Sequence, residues 1–322
     1  MLVPSIVNLE LTNQCNLECV FCDHASLRKT MHLGQMDDKV LDLLLQSIKD
    51  YNVYELGLVG LGEPLLDCIL EKHLETISKY KSIFTRISLN SNATLMDDNK
   101  AKLILNSPIN LVTFSLNATN RDSYQSLMGQ DIFNKTVTNI KQFIKQRKSH
   151  NREDLNVSIQ FMSSELNEER EMQNLFKEYI DEKVIVYNRY VYYKTAVEDR
   201  GKGKVNVNHA DFGNRHPCWS MYSRVYVDIE GNVYPCTIGN DSYRVAYQLC
   251  IGNIKHQSLI SIFNNERMQK ARLDAESGRL PFPECNVCTL WELLPNNFEF
   301  ISGKWIYKER EAMRRKELNR ND

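Results

Sequence analysis

Three cysteines near the amino terminus have the spacing of a metal centre. Cys15, Cys19 and Cys22 form a C-x3-C-x2-C loop just after a strand-like run, Ile6–Leu11. A four-iron cluster held by only three thiolates leaves one iron open to a small molecule, and chemistry can take place at that iron. The alternative is a zinc site, for which the nearby His24 could supply a fourth ligand.

A glycine-rich segment further along the chain favours iron over zinc. The run Val59–Leu66 reads V-G-L-G-E-P-L-L and follows the second strand-like segment. A structural zinc protein would have no need of this segment. Together with the cysteine loop, it resembles the radical S-adenosylmethionine (radical SAM) superfamily, which has a Gly-Glu-Pro motif at this point in the chain. Leu61 replaces the first glycine of the commoner G-G-E-P form.

The resemblance implies a role for each part of these two motifs. In the superfamily, the open iron binds the amino and carboxylate groups of SAM, and one electron from the reduced cluster cleaves the sulfonium to a 5′-deoxyadenosyl radical. Phe21, between the second and third cysteines, would lie against the adenine. Glu63 would accept a hydrogen bond from the methionine ammonium. Gly60 and Gly62 would let the backbone approach the ligand closely.

Length and composition are those of a globular enzyme. With 322 residues, of which 42% are hydrophobic and 25% charged, the chain can bury a large core with or without a smaller domain. The net charge of −1 gives no support for nucleic-acid binding. No apolar run is long enough to span a membrane. Nine cysteines without an export signal indicate a reducing compartment, so we expect a cytoplasmic location.

Strand-like and helix-like segments alternate through the first two thirds of the chain. Strands are predicted at Ile6–Leu11, Val53–Val59, Thr85–Leu89, Leu111–Leu116, Val157–Phe161 and Val184–Tyr187. Helices are predicted at Asp37–Tyr51, Leu70–Tyr80, Asp97–Leu105, Phe133–Lys148 and Glu168–Ile180. This alternation indicates a parallel α/β fold, either an open sheet or a barrel. The resemblance implies the partial (β/α)6 barrel of a radical SAM core, over residues 1–191.

Polar side chains cluster where the predicted strands end. In parallel α/β folds, chemistry gathers at the carboxyl ends of the strands. Ser91, Asn92 and Ser115 occupy such positions and are candidates for contact with SAM. Asn117 and Gln160 also lie at strand ends. The alternative is turn chemistry, because Asn and Ser are common wherever a strand ends.

A second set of cysteines follows a polar linker at residues 192–214. Two of them flank a predicted β-hairpin and two form a later C-x2-C, and they are Cys218, Cys236, Cys285 and Cys288. One amphipathic helix is predicted between the two pairs, at Ser258–Glu276. Four thiolates of this kind can hold a structural zinc ion or an iron–sulfur cluster.

This second region resembles the shortened SPASM domain known as a twitch domain, here over residues 215–290 with an extension at 291–322. Gly231-x4-Cys236 matches the hairpin motif of that domain, and no cysteine follows Cys288. The resemblance implies one auxiliary [4Fe–4S] cluster with four thiolate ligands, and its role would be electron transfer. The predicted cofactors are therefore SAM and two [4Fe–4S] clusters.

Resemblance to single-cluster twitch enzymes implies one of two reactions. In the favoured one, a hydroxyl-bearing carbon loses hydrogen, and then a proton and an electron, to become a ketone. In the alternative, a thiol returns hydrogen to the opposite face, as in radical epimerases. Cys250 lies between the auxiliary ligands and is the candidate hydrogen donor. Cys68, the other unassigned cysteine, is expected to be a buried thiol.

The expected partners are a small, polar, sugar-like substrate and a reducing protein such as flavodoxin or ferredoxin, with no nucleic acid and no membrane. A maturase of ribosomal peptides is the main alternative within the superfamily. Such maturases often carry an N-terminal leader-binding domain, for which a cluster loop beginning by residue 15 leaves no room. A non-catalytic zinc or iron–sulfur protein is the alternative outside the superfamily.

Overall fold

A nine-stranded sheet organises the fold, seen here in a computed structural model. The structure describes residues 1–22, 24–162, 166–188, 217–236, 249–287, 298–301 and 304–307. The strands of this sheet are β1 (Ile6–Leu9), β2 (Val53–Leu58), β3 (Phe84–Ser91), β4 (Leu111–Ser115), β5 (Asn156–Phe161), β6 (Val184–Asn188), β7 (Arg224–Val227), β8 (Asn232–Tyr234) and β9 (Gly252–Asn253). A separate antiparallel pair joins β10 (Phe298–Ile301) to β11 (Lys304–Tyr307).

Helices follow most of the strands. The described ones are α1 (His24–Leu27), α2 (Asp38–Ile48), α3 (Leu70–Lys79), α4 (Asp98–Leu105), α5 (Arg121–Met128), α6 (Phe133–Ser149), α7 (Leu166–Phe176), α8 (Ser220–Ser223), α9 (Leu259–Phe263) and α10 (Glu266–Glu276). Helix α2 is typical in burying one apolar face, formed by Val40, Leu41, Leu44, Leu45 and Ile48. None of the described helices has the length and apolar character needed to cross a bilayer.

The order of the strands makes the barrel a partial one. Strands β1 to β6 are parallel and lie side by side in chain order. The free edge of β1 pairs in parallel with β7, from Ile6 opposite Arg224 to Leu9 opposite Val227. A strand has only two edges, and those of β1 are taken by β2 and β7. In the part of the chain that is described, β1 therefore does not close onto β6, and the predicted partial (β/α)6 barrel is confirmed.

The structure also confirms two predicted helix starts. The side chain of Asp37 accepts a hydrogen bond from the backbone N–H of Lys39 at 2.9 Å, and Asp97 accepts one from Lys100 at 2.8 Å. Each bond satisfies a donor that the first turn of a helix leaves without an intrahelical partner. All six predicted strands of the core are present, with ends within two residues of those expected.

Helix α5 was not expected from the sequence. Its start is held by a reciprocal capping box between Asn120 and Ser123. The usual sequence sign of such a box is Glu or Gln at the third helical position, and here that position is Ser123. The last residue of α5, Met128, is buried next to the cysteine loop.

The helix predicted at Ser258–Glu276 is two helices, so that prediction is wrong. Asn264 interrupts it because its side chain accepts from the N–H of Leu2 and donates to the carbonyl of Leu2, both at 2.8 Å. Asn265 then caps α10 by accepting from the N–H of Met268 at 2.9 Å, and it donates to the carbonyl of Ile251 at 2.7 Å. Tertiary hydrogen bonds thus override a continuous apolar stripe.

We predict that Asn265→Ala destabilises the protein by about 1–2 kcal/mol, because it removes the cap of α10 and the bond to Ile251 together. Asn265→Asp keeps an acceptor for the cap and should cost less. Lys270→Ala, an exposed change on the same helix, is the matched control. Anaerobic equilibrium unfolding of the cluster-loaded protein measures all three. Equal effects of the Ala and Asp variants would contradict a capping role.

Candidate functional site

The cysteine loop lies at the carboxyl end of β1, where parallel α/β folds place their chemistry. A turn within the loop is closed by the N–H of Cys22, which donates to the carbonyl of Cys19 at 3.0 Å. The loop is held from outside by the N–H of Val20, which donates to the carbonyl of Leu127 at 2.9 Å. Gln130 adds a bond to the carbonyl of Asn16 at 2.7 Å. Helix α5 and the turn after it therefore support the loop.

The three thiols of this loop are close enough to affect one another. Burial, together with the nearby charges of Glu63 and Cys22, raises the pKa of Cys15 to about 11. Burial also raises the pKa of Cys19, with added contributions from Cys22 and Cys15. The thiolate form is thus unfavourable here without a cation. Three half-buried sulfur donors on one loop fit an iron–sulfur cluster, whose binding would supply the positive charge.

His24, the candidate fourth ligand of a zinc site, hydrogen-bonds to the backbone. Its side chain is buried, and Nε2 hydrogen-bonds to the carbonyl oxygen of Asn13 at 2.8 Å. Burial lowers the pKa of this imidazole. Among the described residues, no three His, Cys, Asp or Glu side chains lie close enough together to hold a single metal ion.

The segment Gly60–Gly62 packs directly against the cysteine loop. A Cβ atom on Gly62 would overlap the carbonyl of Thr12 and lie 2.7 Å from the carbonyl oxygen of Gln14. The next residue, Glu63, donates its N–H to the same Gln14 carbonyl at 2.7 Å. The close approach that requires glycine at position 62 is thus made to the protein's own backbone. The two predicted motifs form one unit.

Glu63 is buried, and its carboxylate accepts three hydrogen bonds from the protein. The donors are the Ser91 hydroxyl at 2.7 Å, the Asn92 N–H at 2.7 Å and the Leu65 N–H at 3.2 Å. Burial raises the pKa of Glu63, and these bonds oppose the rise. A carboxylate has about four acceptor sites, so one remains for a ligand ammonium.

The other residues predicted to contact SAM differ in burial and in their hydrogen-bond partners. The structure brings Ser91 and Asn92 to Glu63, and the Asn92 amide also donates to the side chain of Asn16 at 3.0 Å. Ser115 is half-buried at the end of β4. Phe21 is 41% exposed. Contact of these residues with SAM stays a prediction.

A chain of polar side chains crosses the ends of β4, β5 and β6. The Tyr187 hydroxyl donates to Gln160 at 2.8 Å, and the Gln160 amide donates to Asn117 at 3.2 Å. The Asn117 amide then contacts the sulfur of Met128 at 3.7 Å, and that sulfur lies 3.7 Å from the thiol of Cys19. Sequence reasoning named Asn117 and Gln160 only as strand ends. The sequence could have indicated that the two side chains are neighbours, because parallel strands that lie side by side end at the same edge of the sheet.

Three of the four predicted auxiliary ligands are described, and all three are half-buried. Cys218 precedes α8, Cys236 follows β8, and Cys285 lies in a 3₁₀ turn at Pro283–Val287. Cys288 lies outside the described residues. The predicted hairpin is confirmed as β7 and β8, with Gly231 at a φ of 82° in the turn, a conformation that favours glycine.

The two unassigned cysteines differ in exposure. Cys68 is exposed and accepts a hydrogen bond from Gln35, so the prediction of a buried thiol is wrong. Cys68 lies just before helix α3, between the buried residues Asp67 and Leu70. Cys250 is half-buried, and its thiol contacts the carbonyl of Gly252 at 3.4 Å. The neighbouring Ile251 donates its N–H to Val233, which lies on the strand that leads to Cys236.

Comparison with protein families matches both parts of the chain. A model of the radical SAM superfamily matches residues 9–180, and a model of the SPASM iron–sulfur cluster-binding domain matches residues 218–289. An uncharacterized protein of Methanocaldococcus jannaschii, MJ0804, is 32% identical over 134 residues, which are 42% of each chain. A probable GTP 3′,8-cyclase of Saccharolobus solfataricus is 27% identical over 43% of each chain. The alignments thus span less than half of these relatives.

Solved structures with the same fold have low sequence identity to this chain. BtrN in complex with AdoMet and 2-DOIA has a TM-score of 0.55 at 14% identity, covering 89% of this chain and 92% of BtrN. Streptococcus suis SuiB bound to precursor peptide SuiA has a TM-score of 0.64 at 16% identity, covering 90% and 71%. The enzyme anSMEcpe with AdoMet and the Cp18Cys peptide scores 0.61 at 18%, covering 89% and 88%. These likenesses concern the fold.

The family match covers more than half of the chain and includes the three cysteines of the loop and the Gly60–Glu63 segment. The second match covers the four cysteines of the C-terminal region. The cofactors that these two domains imply are SAM and more than one [4Fe–4S] cluster. The chain belongs to the radical SAM superfamily and is an enzyme of that superfamily with a SPASM domain.

Proposed function

We propose that this enzyme is a dehydrogenase of a small, polar, sugar-like substrate, and that it oxidises a hydroxyl-bearing carbon to a ketone. The observation that carries this proposal is the chain of neutral polar groups at the carboxyl ends of β4, β5 and β6. It is supported by the fold shared with BtrN, whose structure holds AdoMet and 2-DOIA.

The polar chain suits a substrate with several hydroxyl groups. Tyr187, Gln160 and Asn117 present a phenol and two amides, all uncharged and each able to donate and to accept. Asn117 and Gln160 are buried, so a bond that they make to a ligand is little weakened by water. Asn117 has a φ of 60°, which is uncommon for a residue other than glycine and is often found at functional sites.

Two sets of cysteines would hold the two clusters. We infer from the sequence that the chain is divided into a core, a linker, a twitch domain and an extension, and each set belongs to one of the two domains. Cys15, Cys19 and Cys22 would hold one cluster. Cys218, Cys236, Cys285 and Cys288 would hold the other. When bound, the first cluster with SAM supplies a 5′-deoxyadenosyl radical for hydrogen removal, and the second accepts the electron that the substrate releases.

The protein side chains near the SAM motif would orient the ligand. The free acceptor site of Glu63 would receive the methionine ammonium, and Ser91 and Asn92 hold that carboxylate in place. Ser115 and Phe21 would contact the nucleoside. Gly60 and Gly62 keep the loop close to the cysteines, so that ligand and cluster meet.

The setting of Cys250 supports dehydrogenation over epimerisation. Its thiol is directed to the carbonyl of Gly252, and its own carbonyl accepts from Arg267 at 2.6 Å. A thiol that donates hydrogen to a carbon radical has to face the substrate. The contact with Gly252 favours a packing role, with epimerisation as the alternative reaction.

A peptide substrate is the second candidate. The structures of SuiB bound to precursor peptide SuiA and of anSMEcpe with the Cp18Cys peptide have higher TM-scores than that of BtrN, at 0.64 and 0.61 against 0.55. Substrate-dependent cleavage of SAM distinguishes the two classes of substrate. Incubating the reduced, SAM-loaded enzyme with 2-DOIA and related aminocyclitols, or with cysteine- and serine-containing peptides, should give substrate-dependent 5′-deoxyadenosine with one class. We expect it with the aminocyclitols, and stimulation by peptides alone would refute the proposal.

The two cysteine sets should separate SAM cleavage from product formation. Replacing Cys15, Cys19 and Cys22 together by Ala should remove about four irons and abolish 5′-deoxyadenosine formation. Replacing the four C-terminal cysteines should also remove about four irons, yet leave SAM cleavage that is uncoupled from product. Iron analysis and chromatography of the products measure both.

Cys68→Ala is the matched control for this pair, because that cysteine is exposed and belongs to neither set. It should retain full iron content and activity. Persistent 5′-deoxyadenosine production by the first variant would contradict the assignment of the SAM-binding cluster. Full product formation by the second, with its fold intact by circular dichroism, would exclude the electron-transfer role.

Turnover in deuterated water should distinguish dehydrogenation from epimerisation. Dehydrogenation predicts a ketone two mass units lighter than the substrate, with no solvent deuterium on carbon. Cys250→Ala should then turn over at about the wild-type rate, since it removes only a half-buried thiol. Deuterium on an inverted carbon, together with loss of product in Cys250→Ala, would establish the epimerase instead. Mass spectrometry of the product reads both outcomes.

A further inference from the structure

Glu10 is a buried carboxylic acid that neither cofactor motif includes. It is the first residue after β1 and is 2% exposed. Its backbone N–H donates to the carbonyl of Val227 at 2.9 Å, which extends the pairing of β1 with β7 by one step. Its side chain turns toward the glycine-rich loop, where Oε1 accepts the N–H of Leu61 at 2.8 Å.

Gly60 is shaped to receive this side chain. A Cβ atom on Gly60 would lie 2.6 Å from the Cγ atom of Glu10 and 2.7 Å from its Oε1. Any larger residue at position 60 would therefore push the carboxyl away from the N–H of Leu61. The absence of a side chain at Gly60 and the carboxyl of Glu10 fit one another, just as Gly62 fits the backbone at Thr12.

The other face of Glu10 meets the hairpin of the SPASM domain. The hydroxyl of Tyr226, on β7, lies close enough to shift the pKa of Glu10, although its geometry falls short of a well-formed hydrogen bond. Asp228 follows β7 and accepts the hydroxyl of Tyr234 at 3.0 Å and the amide of Asn232 at 2.9 Å. These bonds shape the turn that leads to Cys236.

Electrostatics make the carboxyl of Glu10 sensitive to both neighbours. Burial raises its pKa to about 7, and the charge of Asp228 acts in the same direction. The N–H groups of Leu61 and Ile229 and the hydroxyl of Tyr226 oppose the rise. The groups that act on the carboxyl thus come from the glycine-rich loop, from β7 and from the turn after it.

We propose that Glu10 is a positioning residue that fixes the Gly60–Gly62 loop through Leu61 and couples this loop to the hairpin that leads to Cys236. A buried carboxyl is costly unless it is hydrogen-bonded, and an apolar residue would fill the space without that cost. An apolar residue would leave the Leu61 N–H without an acceptor, however, and the loop that precedes Glu63 would lose its anchor. This role is independent of the identity of the substrate.

Amide hydrogen exchange of residues 60–66 tests the anchor directly. Glu10→Asp is one methylene shorter and should not reach Leu61, so exchange in this segment should become about tenfold faster, as expected for the loss of one hydrogen bond. Glu10→Gln keeps an acceptor oxygen and should stay within about twofold of wild type. SAM binding to the cluster-loaded protein should weaken in the Asp variant and be retained in the Gln variant.

Glu55→Gln is the matched control, because Glu55 lies on β2 of the same sheet and bonds to Ser88 at 2.6 Å, away from the loop. It should leave exchange of residues 60–66 unchanged. Unchanged exchange in Glu10→Asp would overturn the proposal. So would equal acceleration in the Asp and Gln variants, because that result would indicate a packing role in place of a hydrogen-bond anchor.

The coupling to the hairpin can be tested by a second measurement, the pH at which half of the Glu10 carboxyl is ionised. The infrared band of its protonated carboxyl, isolated as the difference from Glu10→Gln, should titrate at about pH 7 in wild type. Tyr226→Phe removes a group that lowers the pKa, so the midpoint should rise. Asp228→Asn removes a charge that raises the pKa, so the midpoint should fall. Midpoints that stay at the wild-type value in both variants would exclude coupling to the hairpin.

The titration of Glu10 also predicts the direction in which the stability of the folded protein changes with pH. Its pKa in the folded protein, about 7, is higher than its ordinary value of 4.5. The stabilisation that follows from protonated Glu10 is therefore complete below about pH 4.5 and is lost as the pH rises through about 7. Above that pH, Glu10→Gln should gain thermal stability relative to wild type. A difference in melting temperature that does not vary with pH would refute a titrating Glu10.

Discussion

The pairing of β1 along both of its edges is the constraint on which the rest of the structure depends. One edge holds β2 and the other holds β7, in register over Ile6–Leu9. Because parallel strands end at the same side of a sheet, the segments that follow these three strands meet there. They are the cysteine loop, the glycine-rich loop and the turn between β7 and β8. The two regions that carry cysteines are therefore parts of one sheet.

Burial at this edge gives the site its chemistry. Desolvation raises the pKa values of Cys15 and Cys19 and of the carboxyls of Glu10 and Glu63. Four acidic groups in a poorly solvated region repel one another when ionised, so their charged forms need cations or hydrogen-bond donors. Backbone N–H groups supply donors to the carboxyls, and iron would supply charge to the thiols.

The polar chain from Tyr187 to Asn117 runs along the carboxyl ends of β6, β5 and β4 toward the cysteine loop. Its last contact, through Met128, reaches the thiol of Cys19. Helix α5 positions Met128, and the turn after α5 also holds the cysteine loop through Gln130. One helix thus supports both the cysteine loop and the end of the polar chain. Our proposal of a substrate rich in hydroxyl groups rests on these uncharged donors and acceptors.

The sequence by itself determined the superfamily, the cofactors and the six strands of the core, because cysteine spacing and alternating hydrophobicity are local properties. It also located the helix starts at Asp37 and Asp97. Tertiary structure alone decided the exposed position of Cys68, the break at Asn264 and the partner of Glu10. Each of these depends on residues far away in the chain, such as Leu2 for Asn264 and Leu61 for Glu10. Periodicity and propensity carry no information about such contacts, since burial and hydrogen bonding between distant segments are set only when the sheet forms.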